Sequence, residues 1–116
     1  MEKHMRRIYL PIVIAGIVIS VAALAVPRLR AEGDTAKVYK TNCVLCHAAD
    51  GSGSSPSGKA MKAKDLRSPE VQAKSDEELG DVITKGMGKM PAFGKKLSAD
   101  AIKSLVAYIR ELPKQK

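Results

Sequence analysis

The sequence predicts an all-α domain of about four short helices, and three observations carry that reading. Apolar residues recur at helical spacing, as Leu79, Val82 and Ile83 in one stretch and Ile102, Leu105, Val106 and Ile109 in another. Serines stand where helix starts need acceptors for their orphan N–H groups, at Ser68, Ser75 and Ser98. No segment alternates apolar and polar residues for long enough to make a half-buried strand.

The chain opens on a basic leader, residues 1–7, and then an uncharged run from Ile8 to Val26. As a helix those 19 residues would span about 28 Å, close to the hydrocarbon thickness of a bilayer. A signal peptide has the same order of charge and apolarity, but its apolar region usually runs about 7–15 residues. Ala23 and Ala25 offer a small-x-small cleavage pattern, yet Pro27, Arg28 and Arg30 follow at once. Residues 1–26 are therefore read as a signal-anchor or transmembrane segment, with a cleaved signal peptide as the alternative. Basic residues flank both ends, so charge does not orient the run. Residues 27–34 form a short polar linker that reaches at most about 28 Å when extended. Residues 35–116 form the domain.

Within it, Asp34 or Thr35 can cap a first helix that runs into Cys43, with Val38, Asn42 and Leu45 on one face. Residues 48–58 are loop by their glycine, serine and proline content. Met61 fills core from a short helical turn. Ser68-Pro69-Glu70 starts a helix with serine as cap and proline at the first helical position. Ser75 and Glu78 form a capping box for a helix that ends near Gly86. Ser98 caps the last helix and Pro113 closes it.

Composition asks for help with the core. The chain has 116 residues with no Trp, one Phe and three Tyr. Roughly 85 residues lie outside the apolar run, near the size at which cores need reinforcement. The net charge of +8 is shared, with +4 before Ala31 and +4 from there on. That excess is too diffuse for a nucleic-acid stripe and better suits acidic protein partners.

The chemistry sits in Cys43-Val44-Leu45-Cys46-His47, which holds both cysteines and one of two histidines. Two thiols at this spacing can reach the two vinyl groups of one porphyrin and become thioethers, and the histidine that follows is carried under the iron. The motif thus reads as the attachment site of one haem c. A zinc site would need a fourth ligand and a distant second pair, and a thioredoxin-like dithiol would need a βαβ setting. A disulfide between Cys43 and Cys46 closes too small a loop to stabilise much.

A six-coordinate iron needs a ligand on its other face. His4 lies beyond the apolar run, as do Met1 and Met5, which leaves Met61, Met87 and Met90. Met90 is favoured, because Pro91 pushes it into extended backbone within an inter-helix loop. Met87, between Gly86 and Gly88, has freedom without restraint. Met61 is third.

Cys43-Val-Leu-Cys46-His47, Met90-Pro91-Ala92-Phe93 and the last helix together resemble the small class I cytochromes c of bacteria. The resemblance covers roughly Thr35 to Leu112 and implies the cytochrome c fold, with the first and last helices crossing near one haem edge. It sets Tyr39, expected to pack beside the haem or against another helix, at the aromatic place of the first helix, and Leu105 and Tyr108 at the leucine and aromatic places of the last. Thr35 stands where the family usually has a glycine. Pro56 looks like the proline whose carbonyl accepts a hydrogen bond from the second ring nitrogen of the proximal histidine. The family acquires haem outside the cytoplasmic membrane, which implies a domain on the periplasmic side.

Histidine–methionine ligation closes the iron and suits a single-electron carrier between respiratory-type redox partners rather than an enzyme. The alternatives are a haem-binding subunit of a larger oxidoreductase, or a gas-binding or peroxidatic haem protein. The last would need Met90 to leave and an acid–base partner that the histidine count does not supply. Lys85, Lys89, Lys95 and Lys96 surround the Met90 loop, either as ordinary solvated lysines or as a basic rim for partners with acidic docking surfaces. The membrane is a further partner through residues 8–26. Neither nucleic acid nor a small-molecule substrate is expected.

Overall fold

The structure is a computed structural model and describes residues 34–115. These lie within the unit Glu32–Lys116. The expected membrane or signal segment, 1–26, and most of the linker lie outside the described residues. Among the described residues, no helix is long and apolar enough to cross a membrane.

Among the described residues six helices follow one another: α1 through residue 42, α2 Val44–His47, α3 Pro56–Met61, α4 Pro69–Gln72, α5 Asp76–Lys85 and α6 Ala99–Glu111. A 3₁₀ turn, Leu112–Lys114, closes the chain with Pro113 inside it. Among the described residues there is no strand, only one isolated bridge between Met87 and Met90. The all-α expectation holds.

The capping signals work as their chemistry requires. The hydroxyls of Ser68, Ser75 and Ser98 accept from the N–H groups of Val71, Glu78 and Ala101. The Ser75–Glu78 capping box is complete in both directions. One helix, α3, begins inside the stretch expected as loop and takes in the short helical turn expected at Met61. Ser55 caps it and Pro56 sits in its first turn, the same signal as Ser68-Pro69, masked here by flanking glycines and serines.

Two expectations for the first helix need correction. Asp34 is already helical, so it does not cap the helix. Leu45 is 74% exposed, while Val38 packs on the core, so the two do not share a face. The chain breaks at Cys43, with φ −115 and ψ −33, and this rotates α2 out of phase with α1. Met61 is likewise no core filler. It ends α3 half exposed.

The core is Tyr39 from α1, Leu66 and Val71, Leu79 and Ile83 from α5, and Ile102, Leu105, Val106 and Ile109 from α6, closed by Leu112. The apolar faces of α5 and α6 meet there. Arg110 ties α6 to the α4–α5 junction, donating to the carbonyls of Gln72 at 2.9 Å and Lys74 at 2.6 Å and to Asp76. Gln72 returns the link, its Nε2 amide donating to the Leu66 and Ile109 carbonyls. These bonds lock the scaffold beneath the site.

Candidate functional site

The proximal half grows out of α1 and α2. Cys43 ends one helix and precedes the next, and its carbonyl accepts from His47 N–H at 2.8 Å. One helical turn therefore carries both thiols and the imidazole. The cysteines are free thiols. Burial pushes the Cys43 thiol up to about 11, with Cys46 nearby adding to the effect. Such a group stays a neutral thiol at neutral pH.

His47 Nδ1 lies 3.1 Å from the Lys64 carbonyl. The tautomer that donates from Nδ1 leaves the Nε2 lone pair free for a metal. Burial holds the His47 pKa below the ordinary histidine value, and the Lys64 carbonyl only partly opposes this. The ring is thereby kept neutral.

This bond corrects the expectation for Pro56. The structure gives the carbonyl role to Lys64, and Pro56 instead serves in the first turn of α3. A backbone carbonyl carries no residue signature, so nothing in the sequence marked Lys64. Ser55 supplies a further tie that the sequence did not announce. Its hydroxyl lies 2.7 Å from the Leu45 carbonyl and 3.1 Å from that of Cys46, fastening α3 to the motif.

Tyr39 is 2% exposed and packs against Tyr108 of α6 with ring centroids 4.9 Å apart. Its hydroxyl donates to the Ala48 carbonyl at 2.9 Å. Leu105 is buried in the same core. Tyr39 thus buttresses the backbone just after His47.

The distal half is the segment between α5 and α6. Met87 and Met90 exchange backbone hydrogen bonds of 3.1 and 2.9 Å, closing a tight turn over Gly88 and Lys89. Phe93 N–H and Gly94 N–H then donate to the Ile83 and Thr84 carbonyls, bonding the segment back onto α5. Gly86 sits at φ +75, and a Cβ there would come within 2.6 Å of the Met90 carbonyl. Only glycine fits that approach. Within this frame Met87 is 62% exposed, whereas Met90 is half-buried against the core.

Do these residues fit a haem? Val38, Cys43, Val44, Met90, Phe93, Leu97 and Tyr108 are all half-buried and rest on one apolar core. Among the described residues no polar or charged residue is buried. Half-covered apolar side chains, two free thiols, a neutral imidazole and a thioether make a donor set and a surface suited to a flat apolar macrocycle. Cys43 and Cys46 would hold it covalently.

Comparison with known proteins agrees. Residues 31–109 match the family described as cytochrome C oxidase, cbb3-type, subunit III. Cytochrome c6 of Microcystis aeruginosa is 37% identical over 66% of this chain and 90% of the relative. Cytochrome c6 of Nostoc sp. is 31% identical over 90% of this chain and 92% of the relative. The solved structure of the KustC0563 c-type cytochrome superposes with a TM-score of 0.61 at 32% identity, covering 66% of this chain and 94% of that one. With the motif, the helical scaffold and these relatives in agreement, the chain belongs to the small class I c-type cytochromes and carries one covalently bound haem c.

Proposed function

We propose that this cytochrome is a single-electron carrier whose iron is held by His47 and Met90. The observation that carries the reading is the contrast between two methionines in one turn. Met90 is half-buried on the core beside the bonds to α5, and Met87 points its bulk to solvent. A thioether so held closes the sixth position, raises the reduction potential and leaves no place for a substrate. The haem supplies the redox chemistry. The protein's part is to hold the imidazole neutral, seat the sulfur and cover the macrocycle's apolar face.

Ligation is tested in the oxidised holoprotein by the weak sulfur-to-iron band at the red end of the visible spectrum. Met90→Ala abolishes it and Met87→Ala keeps it. The opposite pattern would transfer the role to Met87.

The partners we propose are redox proteins with acidic docking surfaces, met on the periplasmic side. Lys89, Lys95 and Lys96 support this, since they are exposed and no ion pair holds them among the described residues. Lys85 contributes less, being paired with Asp81 at 3.0 Å. Residues 8–26 keep their reading as a membrane anchor, with a cleaved signal as the alternative. Intact mass of the protein extracted from membranes decides between them by the presence or absence of that segment.

A further inference from the structure

We propose that Gly53 is a positioning residue for the proximal ligand: its missing side chain admits the Ala63–Lys64 peptide, whose next carbonyl holds the His47 ring. The inference rests on the reading of His47 as an iron ligand.

Three segments converge at this place. Gly53 N–H donates to the His47 carbonyl at 2.8 Å, so residue 53 is tied to the motif itself. Residues 63–66 run alongside, with Ala63 N–H on the Gly58 carbonyl and Leu66 N–H on the Gly51 carbonyl. Lys64 then presents its carbonyl to His47 Nδ1 at 3.1 Å. A Cβ on residue 53 would lie 2.7 Å from the Ala63 carbonyl oxygen and 3.3 Å from that of Lys64. These are backbone atoms, which cannot swing aside as a side-chain end can. Relief has to come from moving the 63–64 peptide away from residue 53, and the Lys64 carbonyl travels with it.

The consequence is electronic as well as structural. A hydrogen bond from Nδ1–H to a carbonyl makes the imidazole a stronger donor through Nε2, which favours ferric over ferrous iron. Lengthening that bond raises the reduction potential.

Gly51 supplies the control. It shares the positive φ, +79 against +71 for Gly53, but its Cβ would meet the end of the Leu112 side chain at 2.7 Å. Alanine at either position strains the backbone. Only alanine at 53 presses on the peptide that serves His47.

The experiment is a redox titration of the full-length holoprotein as wild type, Gly53→Ala and Gly51→Ala, with thermal melts alongside. Both variants melt earlier. Gly53→Ala shifts the oxidised-to-reduced ratio at fixed potential by on the order of tenfold toward the reduced form, ~59 mV for one electron, and Gly51→Ala leaves it in place. Equal shifts in both, or none in Gly53→Ala, overturn the proposal. Should Gly53→Ala not mature, Gly53→Asn brings the same Cβ with less backbone strain, and the same shift is required of it. In every variant the ring resonances of His47 in the oxidised protein report ligation separately. Strongly displaced signals with an unmoved potential reject Gly53 alone, while undisplaced signals in the wild type reject the ligand assignment itself.

Discussion

On the proximal side, residues 39–66, side chains do the fastening: Tyr39 grips the Ala48 carbonyl, Ser55 the carbonyls of Leu45 and Cys46, and His47 the carbonyl of Lys64. On the distal side, residues 86–97, the backbone does nearly all the holding, through the Met87–Met90 pair and the bonds from Phe93 and Gly94 to α5. Haem adds two covalent bonds to the first side and none to the second. The difference teaches where this site can give way. On the proposed ligation, His47 shares one turn with two haem-bearing cysteines and can leave only if that turn unfolds, whereas the Met90 sulfur, on a backbone-tethered segment, would be released by smaller distortions.

The strongest way to test that contrast is to remove the covalent half. In Cys43→Ala with Cys46→Ala, haem retention through acid–acetone extraction falls to nothing, while wild type keeps its haem in the protein pellet. Haem that stayed in the pellet of the double variant would mean that it is attached covalently at a place other than Cys43 and Cys46.

Next comes the distal frame. Gly86→Ala places a Cβ against the Met90 carbonyl at a residue with φ +75, costing about 1–3 kcal/mol. The sulfur-to-iron band weakens and added imidazole binds more readily, yet covalent haem content is unchanged. A Gly86→Ala protein with a full-strength band would remove the idea that the backbone there positions the ligand.

The proximal counterpart is gentler. Tyr39→Phe deletes the hydroxyl bond to Ala48 and keeps the ring packing, for a loss of about 0.5–1.5 kcal/mol. That is a drop in Tm of a few degrees, read with the ligand band intact. A pH dependence follows as well. Burial first, then the neighbouring Tyr108 and Asp50, raises the Tyr39 pKa above its ordinary value of about 10. Folded Tyr39 therefore keeps its proton where the unfolded chain has lost it. Its contribution is complete below the unfolded value and is lost as pH rises above it toward the folded one. Melts of wild type show this alkaline decline, and Tyr39→Phe flattens it. An identical decline in both proteins would assign it to other groups.

The same division explains what could be read from the sequence. Residues acting through side-chain identity were legible: Cys43, Cys46 and His47 by spacing, the helix caps by their hydroxyls, the α5 and α6 faces by their period. The choice of Met90, drawn from the Pro91 that follows it, stays a proposal. Contacts made by backbone atoms were not legible. The Lys64 carbonyl could belong to any residue, and the proline reading of Pro56 pointed to the wrong loop. The phase break at Cys43 that exposes Leu45 depends on one pair of dihedrals, which no apolar pattern encodes.

The distal segment also carries the charge that distinguishes it from the proximal side, and here the expected effect is smallest. Lys89, Lys95 and Lys96 are exposed and unpaired among the described residues, while the exposed pair of Lys85 with Asp81 is worth no more than about 1 kcal/mol and partly cancels its charge. If the partner is acidic as proposed, charges this close to the Met90 turn would steer it, an effect that salt screens over about 10 Å at 0.1 M ionic strength. Electron-transfer rates to such a partner should fall as salt rises. The triple change of these lysines to glutamine should lower the low-salt rate by about tenfold and flatten that slope. Lys37, Lys40 and Lys103, equally exposed but on α1 and α6, give the comparison: the same change there removes the same net charge. If it lowers the rate as much, the partner senses only the +8 of the whole chain and the distal segment has no directing role. If the rate responds to the distal set alone, the segment that holds the weaker ligand is also the one that meets the partner.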